Sequence, residues 1–266
     1  MGKGVRQTMK LMSSKEQKKV LLEILEYIDK ICRSNNIRYW LAYGTLIGAV
    51  RHDGFIPWDD DIDINMPRED YKKFLEIMKK EKGNYKALLP LNSKGYNYPF
   101  AKVVDKRTYV DEKENKQIDE MGVYVDVFPL DGLGNTKEEA KKRTYDLNRN
   151  VWWVWGFYGA KVNHNIKGAI LKVLGIKRLY KYFEKESEKI EFDNCKYVGL
   201  TCFRDDELEI YDRKLFDNLV EHNFEGKSFL IPEDYDKVLS VLYGNYMELP
   251  PEEKRVSLHN MKCYFR

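Results

Sequence analysis

The sequence predicts an α/β (α+β) fold, a mixed sheet with helices around it, followed by a mainly helical C-terminal region. Three observations predict it. In Asp61-Ile62-Asp63-Ile64 acidic and apolar residues alternate, which is the period of a half-buried strand. The runs at 98–104 (YPFAKVV) and 121–128 (MGVYVDVF) are rich in strand-forming residues and have the length of single strands. From Thr136 onward the composition turns helical. No repeat, low-complexity tract or flexible linker precedes that change, so a boundary near residue 135 is tightly packed, between 1–135 and 136–266.

The elements follow in order. Ser13 or Ser14 caps a helix, and Glu16 or Gln17 three residues later completes a capping box. Val20, Leu21, Ile24, Leu25, Ile28, Ile31 and Cys32 then recur at helical spacing, until Asn35-Asn36 breaks the pattern. Residues 37–43 (IRYWLAY) read as a strand, and Gly44-Thr45 opens a short helix to about Val50. A loop bearing Gly54 and Pro57 leads into the aspartate strand. Pro67 suits the first turn of a helix over 67–82, with Tyr71, Phe74, Leu75 and Met78 on its apolar face. After the strands at 98–104 and 121–128, Pro129-Leu130-Asp131-Gly132 reads as a turn. A helix near 136–158 carries Trp152, Trp153, Trp155, Phe157 and Tyr158, a cluster that reads as core or acceptor-facing. The segment 161–185 is basic and amphipathic, 219–232 is a hairpin around Glu225-Gly226-Lys227, and a helix runs from Pro232 to Tyr243.

Composition narrows the class. The 266 residues are 33% charged and 43% hydrophobic with a net charge of +3, so whole-chain charge gives no argument for a nucleic-acid partner. Cys32, Cys195, Cys202 and Cys263 lack the spacing of a zinc site and read as free thiols. The N-terminus has no apolar signal region, and no window of about 18 apolar residues occurs, so the expected place is the cytoplasm.

The chemistry concentrates between Trp40 and Tyr71. On a strand, Asp61 and Asp63 face one way while Ile62 and Ile64 face the core. Like charges side by side repel, and hard oxygen donors at that spacing suit Mg²⁺ or Mn²⁺. An acidic surface turn is the plain alternative. Asp126 is the lone charge in Val123-Tyr124-Val125-Asp126-Val127-Phe128, where an uncompensated carboxylate is costly. It either shares a cation site with the first pair or caps a backbone turn.

Gly44-Thr45-Leu46-Ile47-Gly48-Ala49-Val50-Arg51-His52, followed by Phe55-Ile56-Pro57-Trp58-Asp59-Asp60-Asp61-Ile62-Asp63-Ile64, closely resembles the signature of the LicD family of phosphocholine transferases, shared by fukutin-type proteins. Val125–Gly132 resembles the family's second motif. Tyr243–Met247 through Pro250-Pro251, with Arg255 and His259, resembles its C-terminal one. The resemblance implies a nucleotidyltransferase-like catalytic core over 1–135, with 136–266 completing the substrate site. Its Gly-Thr turn precedes a DxD strand, and a later strand supplies a third Asp. The gap from Thr45 to Asp61 exceeds the superfamily's usual one, which leaves Asp59 and Asp60 in supporting roles.

The resemblance further implies transfer of phosphocholine, or a related phospho-alcohol, from a CDP-linked donor such as CDP-choline to a sugar hydroxyl. The acceptor would be a cell-surface glycan, teichoic-acid or lipopolysaccharide precursor, lipid-linked or not. Asp61, Asp63 and Asp126 would then hold the metal, and Asp126 would take the acceptor's proton. Gly44 and Thr45 would cradle phosphate, with Arg51, Lys102, Asp60 and Asp131 as further substrate-binding candidates. Trp40, Tyr43 and Trp58 flank the acid cluster, and aromatic faces attract a quaternary ammonium by about 0.5–2 kcal/mol per ring. The lysines of 161–185 would rest on an anionic membrane, at its inner face, or be a solvated helix face. Two other classes remain: a nucleotidyltransferase that attaches NMP to a small acceptor, and a catalytically silent binding protein of the same fold.

Overall fold

A computed structural model describes residues 9–96, 98–112, 118–158, 175–202, 209–257 and 261–266. Helix α1 (Ser14–Ser34) begins at the capping box expected for it, with Ser13 and Glu16 exchanging bonds. Its predicted apolar stripe, Val20 to Cys32, is buried. The strand expected at 37–43 shrinks to β2 (Trp40–Leu41), and helix α2 (Tyr43–His52) starts one residue before Gly44. Strand β3 (Asp63–Pro67) leads directly into α3 (Arg68–Met78). Ile62 and Ile64 are fully buried, as their alternation with Asp61 and Asp63 requires.

Strands β4 (Tyr85–Leu88), β5 (Ala101–Asp105) and β6 (Thr108–Glu112) precede β7 (Tyr124–Gly134). Here the structure departs from the reading of the sequence. Pro129-Leu130-Asp131-Gly132 is not a turn but part of an eleven-residue buried strand. One edge of β7 pairs in parallel with β3 over Asp126–Leu130. The other pairs with β5 over Tyr124–Val127 and then with β8 (Tyr197–Leu200) from Leu130. Pro129, which has no N–H to donate, sits at the changeover between those two partners.

Helices α4 (Lys137–Tyr158) and α5 (Ile176–Ser187) follow β7. Strand β8 then returns to the core sheet and pairs with β9 (Ile210–Asp212). The main sheet therefore runs β2-β3-β7-β5-β4 with β8 and β9 alongside, a mixed sheet that crosses the boundary expected near 135. The predicted hairpin forms as β10 (Leu219–Phe224) and β11 (Lys227–Pro232). Glu225 and Gly226 take φ of 54° and 75°, the paired left-handed conformation of a tight hairpin turn. Helix α6 (Tyr235–Tyr243) comes next, and β12 (Met261–Phe265) lies between β1 (Lys10–Leu11) and β6 in a small second sheet. The side chains of the Trp152–Tyr158 cluster, residues 161–174 and His259 lie outside the described residues. No helix among the described residues is long and apolar enough to cross a membrane.

Candidate active site

Parallel pairing of β3 with β7 sets Asp63 directly beside Asp126, 63 residues later in the chain, and Asp126 N–H donates to Ile62 O at 2.9 Å. Thr45, buried in the first turn of α2, accepts from Asp63 N–H through Oγ1 at 2.9 Å. The Gly-Thr turn thus fixes the start of the aspartate strand. A Cβ on Gly44 would lie 2.7 Å from Asp59 Oδ2, so glycine is what lets that carboxylate reach the N-terminal end of α2. There the free amides and helix dipole favour negative charge. Tyr43 opens α2 with φ of 49°, a left-handed conformation that costs a residue with a side chain about 1–2 kcal/mol.

The loop between α2 and β3 is held from two sides. Gln17 Nε2 on α1 donates to Asp60 O at 2.8 Å, and the hairpin tip supplies Glu225, which accepts from Phe55 N–H at 3.0 Å. This pins Asp59, Asp60 and Asp61 so that each offers a carboxylate oxygen within 4.8 Å of the other two. Burial and the neighbouring Asp61 push the Asp59 carboxyl up to about 7. Asp63 is pushed well above the ordinary carboxylate range, first by burial and then by the charges of Asp61, Asp126 and Asp59. Like charges crowd the cluster, and its hard oxygen donors fit a divalent cation.

A cleft of about 610 Å³ opens beside these carboxylates. Tyr43, Gly44, Trp58, Asp59, Asp61 and Asp63 form one wall. The rest of the lining includes Tyr246, Glu248 and Lys254 of the C-terminal strap after α6. Tyr243, at the end of α6, also lines it; burial and then the charges of Asp63, Glu209, Asp59 and Asp61 raise its phenol. Tyr43 O–H donates to Glu209 at 3.0 Å.

Several sequence-based assignments change on this geometry. Trp40 is no part of an aromatic cage: it is 1% exposed and stacks on Phe216 at 4.7 Å within the core. Asp131 does not face substrate, because it is wholly buried and paired with Arg68 through bonds of 2.6 and 2.9 Å. Lys102 is committed to Asp126, bonding both oxygens at 2.7 and 2.8 Å, with the Tyr124 ring centroid 3.6 Å from its ammonium. The same pair changes the expectation for Asp126, whose charge is compensated by a fixed lysine rather than left for a cation. Arg51 lines the cleft, yet its Nη1 donates to the carbonyls of Tyr246 and Glu248, which ties α2 to the strap. Asp60 accepts from Ser257 Oγ at 2.7 Å, a second tie to the strap. Gly44, Tyr43, Trp58, Asp61 and Asp63 remain together at the cleft.

Asp59, Tyr243 and Lys254 also line the cleft, and Glu209 stands behind Tyr43. Asp59 lies in a loop with no periodicity to single it out. Tyr243 and the strap stood in the C-terminal block that carried the resemblance, which was the available signal.

The family profile of the LicD/FKTN/FKRP nucleotidyltransferase domain matches residues 36–155. The chain is 30% identical over 272 residues to the lipopolysaccharide cholinephosphotransferase LicD of Haemophilus influenzae, covering 96% of this chain and 99% of that protein. It is 32% identical over 95 residues to the human ribitol 5-phosphate transferase FKRP, covering 36% of this chain and 16% of that protein. The mouse ribitol-5-phosphate transferase FKTN is 32% identical over 83 residues, covering 31% and 16% respectively.

Proposed function

The chain belongs to the LicD/FKTN/FKRP family, and on that premise we propose that it is a metal-dependent phosphotransferase. It moves phosphocholine, or a related phospho-alcohol, from a CDP-linked donor to a sugar hydroxyl of a cell-surface glycan precursor. The observation that carries this reading is the cleft itself. Asp59, Asp61 and Asp63 line it near the N-terminus of α2 together with a strap that belongs to the same resemblance. Full-length similarity to a cholinephosphotransferase supports phosphocholine as the group transferred.

Asp61 and Asp63, joined by Asp59, would hold Mg²⁺ or Mn²⁺. A divalent cation there neutralises charge on the phosphoryl oxygens. The amides of the first turn of α2 face the donor phosphate across Gly44. The sugar oxygen attacks the phosphorus that bears the alcohol, the bond to the bridging oxygen breaks, and CMP leaves. Asp126, which parallel pairing sets beside Asp63, takes the hydroxyl proton. Rings of Tyr43, Trp58 and Tyr243 line the space available to a quaternary ammonium. Exposed Lys177, Arg178, Lys181 and Lys185 on α5 offer peripheral contact with an anionic membrane.

A panel of CDP-alcohols with Mg²⁺ tests the reading. CMP release is expected to depend on the metal and on a glycan acceptor, and to be fastest with CDP-choline. Absence of CMP release from every CDP-alcohol would overturn it.

The carboxylates also predict a pH-dependent response to metal. Asp59 is raised from 3.8 to about 7, so between those values the folded chain holds a proton that the unfolded chain has lost. That contribution to stability is present at low pH and lost as pH rises towards 7. A cation binds the deprotonated set and restores it. The rise in Tm on adding Mg²⁺ is therefore expected to be larger at about pH 8 than at about pH 5, and Asp59→Asn should shrink the difference. Equal increments at both pH values would contradict the proposed site.

A further inference from the structure

Both cations that the sequence assigns to phosphate are committed by the fold, Arg51 to strap carbonyls and Lys102 to Asp126. A diphosphate entering a cleft lined by Asp59, Asp61 and Asp63 needs positive charge elsewhere on that lining. Lys254 lines that cleft from the strap. It ends one turn of 3₁₀ helix, Glu252–Lys254, its backbone N–H donating to Pro251 O at 2.9 Å. Its side chain is exposed, and among the described residues its ammonium makes no hydrogen bond or ion pair.

The segment around Lys254 is anchored on both sides. Before it, Arg51 holds Tyr246 and Glu248. After it, Ser257 Oγ donates to Asp60 Oδ2 at 2.7 Å. Within it, Arg255 Nε donates to Pro250 O at 2.8 Å, and its guanidinium lies 5.8 Å from the centroid of Trp58. Glu248, the carboxylate that shares this lining, accepts from Asn245 Nδ2 at 3.3 Å. The chain thus fixes the base of a flexible ammonium at the cleft that the acid cluster lines, and among the described residues its three donors are unengaged.

We propose that Lys254 is the protein's cation for the donor diphosphate, pairing with the phosphate oxygens that face away from the acid wall. The assignment rests on the phosphotransfer reading and names a residue of that same site. It also gives the strap its use: Arg51 and Ser257 hold the strap in place, and Lys254 contacts the substrate.

Titration of CDP by calorimetry in Mg²⁺ tests this on the full chain. Lys254→Gln is expected to weaken CDP binding about tenfold, the loss of one charge-assisted contact. Lys254→Arg, which keeps the charge, should stay within about threefold of the unaltered protein. Both variants should unfold at the unaltered temperature, because the side chain has no partner to lose. Unchanged CDP binding by Lys254→Gln overturns the assignment, and so does an equal loss in Lys254→Arg, which would implicate strap shape rather than charge. Failure of the unaltered protein to bind CDP or any CDP-alcohol overturns the donor reading itself, and this assignment with it.

Discussion

Asp61→Asn and Asp63→Asn, made singly, are each expected to lower turnover by at least about 10³-fold while leaving the fold intact. A divalent cation at a phosphoryl centre supplies several kcal/mol of charge stabilisation, and about 4 kcal/mol corresponds to that factor. The effect on stability should run the other way. Asp63 is held where burial and three neighbouring carboxylates oppose its charge. Asparagine removes that charge, so Asp63→Asn in metal-free buffer near neutral pH is expected to unfold at the same temperature or higher. A site residue that lowers stability in exchange for function is recognised by this opposition. Asp60→Asn is the comparison, since its carboxylate is engaged with Ser257, and its cost in turnover should be at most about tenfold. Steady-state kinetics and thermal unfolding on the three variants read both sides. Full turnover in Asp61→Asn or Asp63→Asn would remove the cation site from the mechanism.

Asp131→Ala is expected to show the reverse pattern, a large loss of stability with little change in the chemistry of the molecules that remain folded. Arg68 and Asp131 form a bidentate pair with side chains 2% and 0% exposed, and Thr201 Oγ1 also donates to Asp131. Removing one partner leaves an uncompensated buried charge, which costs about 3–5 kcal/mol. For a chain of this size that lowers Tm by roughly 10 °C. Replacing both partners, Arg68→Met with Asp131→Leu, should recover most of the loss, since no buried charge is then left alone. Urea unfolding of the single and double variants measures it. A single variant of unaltered stability with a raised KM for the donor would return Asp131 to the substrate site.

These aspartates show what was legible in the sequence. Asp61 and Asp63 could be read because a strand repeats every two residues and Ile62 and Ile64 carry the other half of the pattern. The capping box of α1 and the β10–β11 hairpin were legible for the same reason, each being set by residues within a few positions of one another. Asp131 was misread because Pro-Leu-Asp-Gly has turn composition. Only the changeover from β5 to β8 along one edge of β7 lets a proline stand inside that strand. The partner that neutralises Asp131 lies 63 residues earlier, at the start of α3, beyond any local pattern. Lys102 and Asp126 lie 24 residues apart and meet through the register of β5 on β7. Asp59 depended on contact with Gly44 across the loop. Trp40 looked available because it flanks the acid cluster in the sequence. Its ring is covered by Phe216, far along the chain.

In the proposed reaction the bond broken in the donor is the one that leaves CMP, so that the alcohol and its phosphate move together. A radiolabel on the phosphate next to choline in CDP-choline, followed with Mg²⁺ and a glycan acceptor, tests this. Labelled phosphocholine on the sugar is expected, with one unlabelled CMP released for each transfer. Cytidine nucleotide appearing on the acceptor, with the label leaving as free phosphocholine, would overturn the proposed reaction.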